Sequence, residues 1–156
     1  MSAAVIALVD DAAVPAAAAV HSASWQDSHR AFCQPDFVAA HTPERQAGYI
    51  RRKMAEGSRF YLLSDPEPAG IVSVRDHLIE DLYVLPEKQG RGLGTQLMAF
   101  AVKECGGEAA LWILENNTRA EKLYLRLGFK RTGAHHAIRS GLDEIEMCLA
   151  PAGERP

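Results

Sequence analysis

Residues 89–95 read Gln89-Gly90-Arg91-Gly92-Leu93-Gly94-Thr95, between the apolar run Leu82-Tyr83-Val84-Leu85 and a helical pattern. A glycine-rich turn between a strand and a helix leaves backbone N–H groups unpaired at the positive end of the helix dipole. Such a turn is an anion site, most often for phosphate. Gly90, Gly92 and Gly94 also cost backbone entropy, so a bare turn is a weak explanation for them.

Working outward, the helix after the loop puts Leu93, Leu97, Met98, Ala101 and Val102 on one face and ends at Gly106-Gly107. The unbroken run AALWIL at 109–114 predicts a strand buried on both faces. Thr118-Arg119-Ala120-Glu121 reads as a capping box. It opens a helix with Ala120, Leu123, Tyr124 and Leu127 on one side, closed by Gly128. Upstream, strands are predicted at 59–64, 69–75 and 78–85, with a turn at 65–68. The N-terminal part predicts a strand at 5–9, then an alanine-rich helix capped by Asp10 and Asp11 and running towards Phe32. Pro35 starts a short helix or turn. Thr42-Pro43-Glu44 starts another helix, which Gly57 stops. Two last strands are expected, one from Phe129 and one at 144–149. This order predicts a mixed α/β sheet with flanking helices in one domain, residues 1–150, followed by a short disordered tail at 151–156.

The chain has 156 residues, is 47% hydrophobic and carries a formal net charge of −3. That is enough for one real core. It favours neither nucleic acid nor an anionic membrane as partner. No apolar run reaches the length of a membrane-spanning helix. The N-terminal stretch lacks the basic start of a signal peptide. Cys33, Cys105 and Cys148 are widely spaced and odd in number, which fits a reduced, cytoplasmic protein. His135-His136 lacks metal-ligand spacing, so no metal is expected.

Three kinds of phosphate loop compete for residues 89–95. The Walker string G-x-x-x-x-G-K-[ST] does not occur. The dinucleotide fingerprint G-x-G-x-x-G gains Gly90 and Gly92 but meets Thr95 where its third glycine belongs. The third pattern, [QR]-x-x-G-x-[GA], is met by Gln89, Gly92 and Gly94. Downstream stands Asn117-Thr118-Arg119-Ala120-Glu121-Lys122-Leu123-Tyr124-Leu125-Arg126-Leu127-Gly128-Phe129, of the form N-x-x-A-x-x-x-Y-x-x-x-G-F. With Leu82-Tyr83-Val84-x-Pro86, these motifs resemble those of the GCN5-related N-acetyltransferase (GNAT) family. The segment around Trp25 is similar to the family's acceptor side, less specifically.

The resemblance implies a mostly antiparallel sheet of six to seven strands whose central strands splay apart. It implies acetyl-CoA as co-substrate, no metal, and transfer of the acetyl group to a primary amine by direct attack in a ternary complex. Gln89, Gly90, Arg91, Gly92, Leu93, Gly94 and Thr95 would hold the pyrophosphate. Backbone groups of Leu82, Tyr83 and Val84 would pair with the pantetheine arm, with Asn117 and Ala120 beside it. Asn117 also reads as a helix cap, although Thr118 could cap in its place.

By spacing alone Tyr124 reads as a core tyrosine; the resemblance makes it the general acid for the leaving thiolate. The resemblance also implies a base on the strand at 78–85. Glu80 and Asp81 are adjacent there, on opposite faces unless a bulge intervenes. Glu80 shares by period two the face of Leu78, where some relatives carry a glutamate, and is preferred. Asp81, His29 or water stay open, as does the reading of both acids as solvent-facing strand charges. Trp25 and His29 belong to the acceptor side. The acceptor itself, a small molecule or a protein N-terminus, is not legible. Neither is the choice between monomer and homodimer. A non-catalytic acyl-CoA-binding sensor remains as an alternative. A nucleotide-cofactor oxidoreductase is opposed by Thr95 and the short chain.

Overall fold

The computed structural model describes residues 3–139 and 141–150; the expected tail at 151–156 lies outside them. The chain runs β1 (Val5–Leu8), α1 (Val14–His29), α2 (Pro35–Ala39), α3 (Pro43–Ala55), β2 (Arg59–Ser64), β3 (Pro68–Arg75) and β4 (Leu78–Val84). It continues with α4 (Leu93–Glu104), β5 (Ala109–Leu114), α5 (Thr118–Arg126), β6 (Lys130–Arg139) and β7 (Leu142–Leu149). Seven strands form one sheet in the order β1-β2-β3-β4-β5-β7-β6. Every neighbouring pair is antiparallel except β4 and β5.

The two faces of the sheet bury separate clusters. On one, Val72, Val74 and Ile79 pack with Leu97 and Met98 of α4 and with Met147. On the other, Phe60 and Ile71 pack with Val14 and Ala17 of α1 and Ile50 of α3. Gly70 lets α4 lie close to the sheet. A Cβ there would stand 2.8 Å from Leu97 Cδ1 and 3.1 Å from the Tyr83 carbonyl oxygen.

Three local expectations change. Asp10 does cap, accepting from the Ala13 N–H at 2.9 Å, but it caps a 3₁₀ turn over Asp11–Ala13. Helix α1 then begins at Val14, with Pro15 in its first turn, and stops at His29 rather than running on to Phe32. The Phe32 and Cys33 N–H groups both turn back to the His29 carbonyl, which closes the chain before Pro35. At α5 the cap is Asn117, whose Oδ1 accepts from the Ala120 N–H at 3.2 Å. Thr118 becomes the first helical residue, and Glu121 pairs with Arg131 instead of closing a capping box. Asn117 wins because its side chain reaches the N3 amide from a non-helical backbone (φ −85°, ψ 71°).

The central strands part after a short contact. β4 meets β5 only at Leu78↔Ala110 and Ile79↔Leu111. β5 goes on to pair with β7 up to Leu114, while β4 continues along β3 to Val84. A wedge-shaped gap therefore opens between residues 80–84 and the far end of β5.

Candidate active site

The glycine loop sits at the mouth of this gap. Gly90 (φ 79°) and Gly92 (φ 80°) are in the left-handed region, where a side chain is strained. Nothing lies within 4 Å of a Cβ built on either, so backbone conformation, not crowding, calls for glycine. Gly92 is the N-cap of α4 and offers no side-chain cap. The first N–H bonded back into the helix is that of Gln96, to the Gly92 carbonyl at 3.1 Å. Among the described residues, the N–H groups of residues 90–95 have no protein partner. The arrangement is an uncapped helix N-terminus with a glycine nest before it, open to an anion.

Gln89 braces the loop. Its Nε2 donates to the Val84 carbonyl at 3.1 Å, and its Oε1 accepts from Arg119 of α5 at 3.3 Å. It thus ties the end of β4 to the helix across the gap. The Leu85 N–H donates to the Ala69 carbonyl at 2.8 Å, which sets the alternation along β4. Tyr83 bonds towards β3, while Leu82 and Val84 turn their backbone groups to the gap. With the Val84 carbonyl taken by Gln89, the Leu82 carbonyl and the N–H groups of Leu82 and Val84 line it.

On the β5 side the gap is closed by α5. Tyr124 is 8% exposed and packs against Phe129, ring centroids 5.9 Å apart. Its hydroxyl has no protein hydrogen-bond partner among the described residues and keeps contact with solvent. Burial pushes its phenol up to about 12. Tyr124 is therefore a core tyrosine by packing and an open donor by its tip. Asn117 spends its oxygen, and Ala120 its N–H, on the helix cap; the Asn117 Nδ2 remains open.

The two acids of β4 point the same way, because a bulge does intervene. Ser73 pairs with Asp81 and Val74 with Ile79, which leaves Glu80 without a partner on β3. Both carboxylates therefore face α1 and α3. Glu80 accepts from Lys53 Nζ and Ser58 Oγ, each at 2.6 Å, with Arg75 at 3.6 Å. Asp81, 7% exposed, accepts from Ser73 Oγ at 2.7 Å and Tyr49 OH at 3.0 Å, and meets His21 Nε2 at 3.1 Å. Gln46 Nε2 lies 2.7 Å from His21 Nδ1. With that amide donating, His21 carries its proton on Nε2 and donates to Asp81. Burial raises the Asp81 carboxyl, but the hydrogen bonds from His21, Ser73 and Tyr49 outweigh it and hold the group below the ordinary carboxylate range. Neither acid is a solvent-facing strand charge.

Above Asp81 lies a pocket of about 450 Å³, walled by Trp25, His41, Arg45, Gly48, Tyr49 and Arg52. Trp25 is stacked on both faces, by His29 at 3.9 Å and by His41 at 3.5 Å between ring centroids. Desolvation by burial lowers the pKa of both imidazoles. His29 Nδ1 donates to the Trp25 carbonyl at 2.9 Å and lies 2.8 Å from Ser28 Oγ. Tyr83 stands between this pocket and Tyr124. Burial, then the charge of Asp81, then Tyr124 keep its phenol far above the ordinary value.

The residues that sequence reasoning missed are His21, His41, Arg45, Gln46, Tyr49 and Arg52. One signal was present: Gln46, Tyr49 and Arg52 recur three residues apart on α3. Nothing comparable marked His21. Among the described residues no cluster of His, Cys, Asp and Glu could hold a metal ion, and no helix is long and apolar enough to cross a membrane.

Residues 37–131 match the family model described as the acetyltransferase (GNAT) domain. The chain is similar to the uncharacterized N-acetyltransferase YobR of Bacillus subtilis, 32% identical over an alignment of 106 residues that covers 61% of this chain. That match spans less than half of the relative, 43% of its length. The fold is similar to that of the PaiA N-acetyltransferase from Thermoplasma acidophilum in complex with coenzyme A (TM-score 0.72, 16% identity, 93% of this chain and 98% of that one). It is also similar to apo YjaB from Escherichia coli (TM-score 0.75, 16% identity, 97% and 100%). A third structure with this fold is YncA from Salmonella typhimurium with acetyl-CoA (TM-score 0.67, 20% identity, 95% and 94%). With the parted central strands and the uncapped glycine loop between them, the matched sequence makes this chain a member of the GNAT acetyltransferase family.

Proposed function

We propose that this chain is an acetyl-CoA-dependent N-acetyltransferase that acetylates a primary amine by direct attack in a ternary complex. The observation that carries the reading is the run of unpaired N–H groups at residues 90–95, set where β4 and β5 diverge. Such a run fits a pyrophosphate, and the backbone groups of Leu82 and Val84 fit the amides of a pantetheine arm. PaiA and YncA, which share the fold, hold coenzyme A and acetyl-CoA.

When bound, acetyl-CoA supplies an activated acyl group. The chain's own part is to hold, orient and move protons. The loop anchors the anionic end and Asn117 Nδ2 is free to hold the arm. The Leu82 and Val84 N–H groups are the available donors for a thioester carbonyl. Tyr124 meets the leaving sulfur as a protonated phenol. Its value of about 12 lies above a thiol's ~8.5, so it acts mainly by donating a hydrogen bond to the developing thiolate. Asp81 serves as the acceptor for the amine's proton, in preference to Glu80. It lines the pocket, and its three hydrogen bonds leave about one of roughly four acceptor sites unused. Glu80 is committed to Lys53 and Ser58. The alternative, a sensor that binds acyl-CoA without turnover, draws on the same fact: no carboxylate in the site is unpaired.

Thermal melting with CoA, NAD and ATP, followed by thiol release from acetyl-CoA across an amine panel, tests the reading. A shift with CoA alone and thiol release with at least one amine are expected. A CoA shift with no release from any amine would favour the sensor; no CoA shift would remove both readings.

A further inference from the structure

The pocket above Asp81 also carries information about what enters it. Arg45 and Arg52 both line it. They stand seven residues apart on α3, about 10.5 Å along the axis and on one face. Among the described residues neither has an acidic partner, whereas Arg59, Arg75 and Arg131 each pair with a glutamate. Arg52 only lies over the Tyr49 ring, 5.5 Å from its centroid. The acid in the pocket wall, Asp81, is already held by three donors.

Gly48 lies between the two arginines and also lines the pocket. It sits inside α3, where glycine is the poorest helix former short of proline. A Cβ there would meet nothing within 4 Å. Packing does not require the glycine, and what its missing side chain preserves is pocket space. The aromatic wall offers no cage for a cation, because both faces of Trp25 are covered by imidazoles.

Taking the acetyl-transfer reading above as its basis, we infer that the acceptor is a small amine that also carries an anionic group, foremost a carboxylate. The amine points to Asp81, and the anion is held by the guanidinium groups of Arg45 and Arg52 over Gly48. The pocket volume suits a single small molecule, and guanidinium pairs match carboxylate or phosphoryl oxygens in plane.

The test compares L-amino acids, their carboxamides, aminomethylphosphonate and spermidine as acceptors for wild type, Arg45→Gln, Arg52→Gln and Gly48→Leu. Charge-assisted hydrogen bonds of this kind change kcat/KM by about tenfold to a hundredfold. At least about tenfold preference for carboxylate over carboxamide is expected in wild type. Each arginine variant should lose it through a raised KM for the carboxylates, with a clearly smaller change for the carboxamides. Gly48→Leu should melt at or above the wild-type temperature yet block the carboxylate acceptors. Preference for the phosphonate keeps the anion site and makes phosphoryl its ligand. Equal use of carboxylate and carboxamide, or preference for spermidine, overturns the inference. Calorimetric titration of the amino acids into CoA-saturated protein separates the two readings. Binding that the arginine variants lose, without turnover, retains the anion pocket and sinks acetyl transfer. No binding and no turnover sink the anion pocket.

Discussion

The two sides of β4 treat polar groups in opposite ways. Towards the gap, the chain leaves backbone donors open: residues 90–95, Leu82 and Val84 wait for partners from outside. Towards α1 and α3, His21, Gln46 and both acids of β4 are paired, and Asp81 alone collects His21, Tyr49 and Ser73. The first side is a mould for a ligand with many acceptors. The second is a rigid polar network that holds one carboxylate ionised under a pocket. Under the proposed acetyl transfer the two divide the work: the donor would be gripped along its length and the acceptor touched at a few points. Tyr83 and the bulge at Glu80 join the two, since the bulge turns Asp81 to the pocket while Leu82 stays at the gap.

If the acceptor side is a network, breaking its centre should cost most. Asp81→Ala leaves two buried donors, His21 and Ser73, and the half-buried Tyr49 without an acceptor, and about 3–5 kcal/mol of stability should be lost in urea unfolding. Asp81→Asn, which keeps an acceptor oxygen, should lose markedly less. A cost below about 1 kcal/mol for Asp81→Ala would mean the network is not structural.

On the donor side the largest single effect should come from a hydroxyl that packing does not use. Tyr124→Phe keeps the ring against Phe129 and should change stability by less than about 0.5 kcal/mol. Its kcat should fall about a hundredfold or more, with little change in acetyl-CoA affinity. Unchanged kcat would remove Tyr124 from the chemistry.

A smaller difference concerns pH. His29 and His41 are held below their ordinary value of 6.5, first by burial. The unfolded chain therefore takes up their protons before the folded one does. Stability is complete above about 6.5 and declines as pH falls below it. Melting temperature followed from pH 7.5 to 5 should drop on the acid side, and His29→Asn with His41→Asn should flatten that drop. The contribution of Asp81 runs the same way at lower pH: it is present above 3.8 and is lost as pH falls through the lower folded value.

The same contrast explains what the sequence could and could not disclose. The loop, its helix, AALWIL and the turn into α5 were legible because their backbone work demands particular residues at fixed spacings: glycine at positive φ, a capping side chain, an unbroken apolar strand. Even there, the capping residue shifted from Thr118 to Asn117, since both can cap and only the backbone angles choose. The pocket proposed for the acceptor is assembled from α1, the turn before α3, α3 itself and β4. His21 and Asp81 are sixty residues apart, and no local rule relates them. Period two gave Glu80 the face it occupies, but the bulge brings Asp81 to the same face, so alternation no longer separates the two acids. A bulge is set by pairing with a neighbouring strand, which a single strand's residues do not display.

The central claim is that the backbone of residues 90–95 grips the pyrophosphate of acetyl-CoA. Isothermal titration of acetyl-CoA against S-acetylpantetheine, with wild type and Gly92→Val, tests it most directly. The account predicts one acetyl-CoA per chain and at least about a hundredfold weaker binding of the pantetheine fragment, about 2.7 kcal/mol. It also predicts that Gly92→Val removes this advantage while costing about 1–3 kcal/mol of stability. Equal affinity for the two ligands in wild type, or an advantage untouched by Gly92→Val, would contradict it.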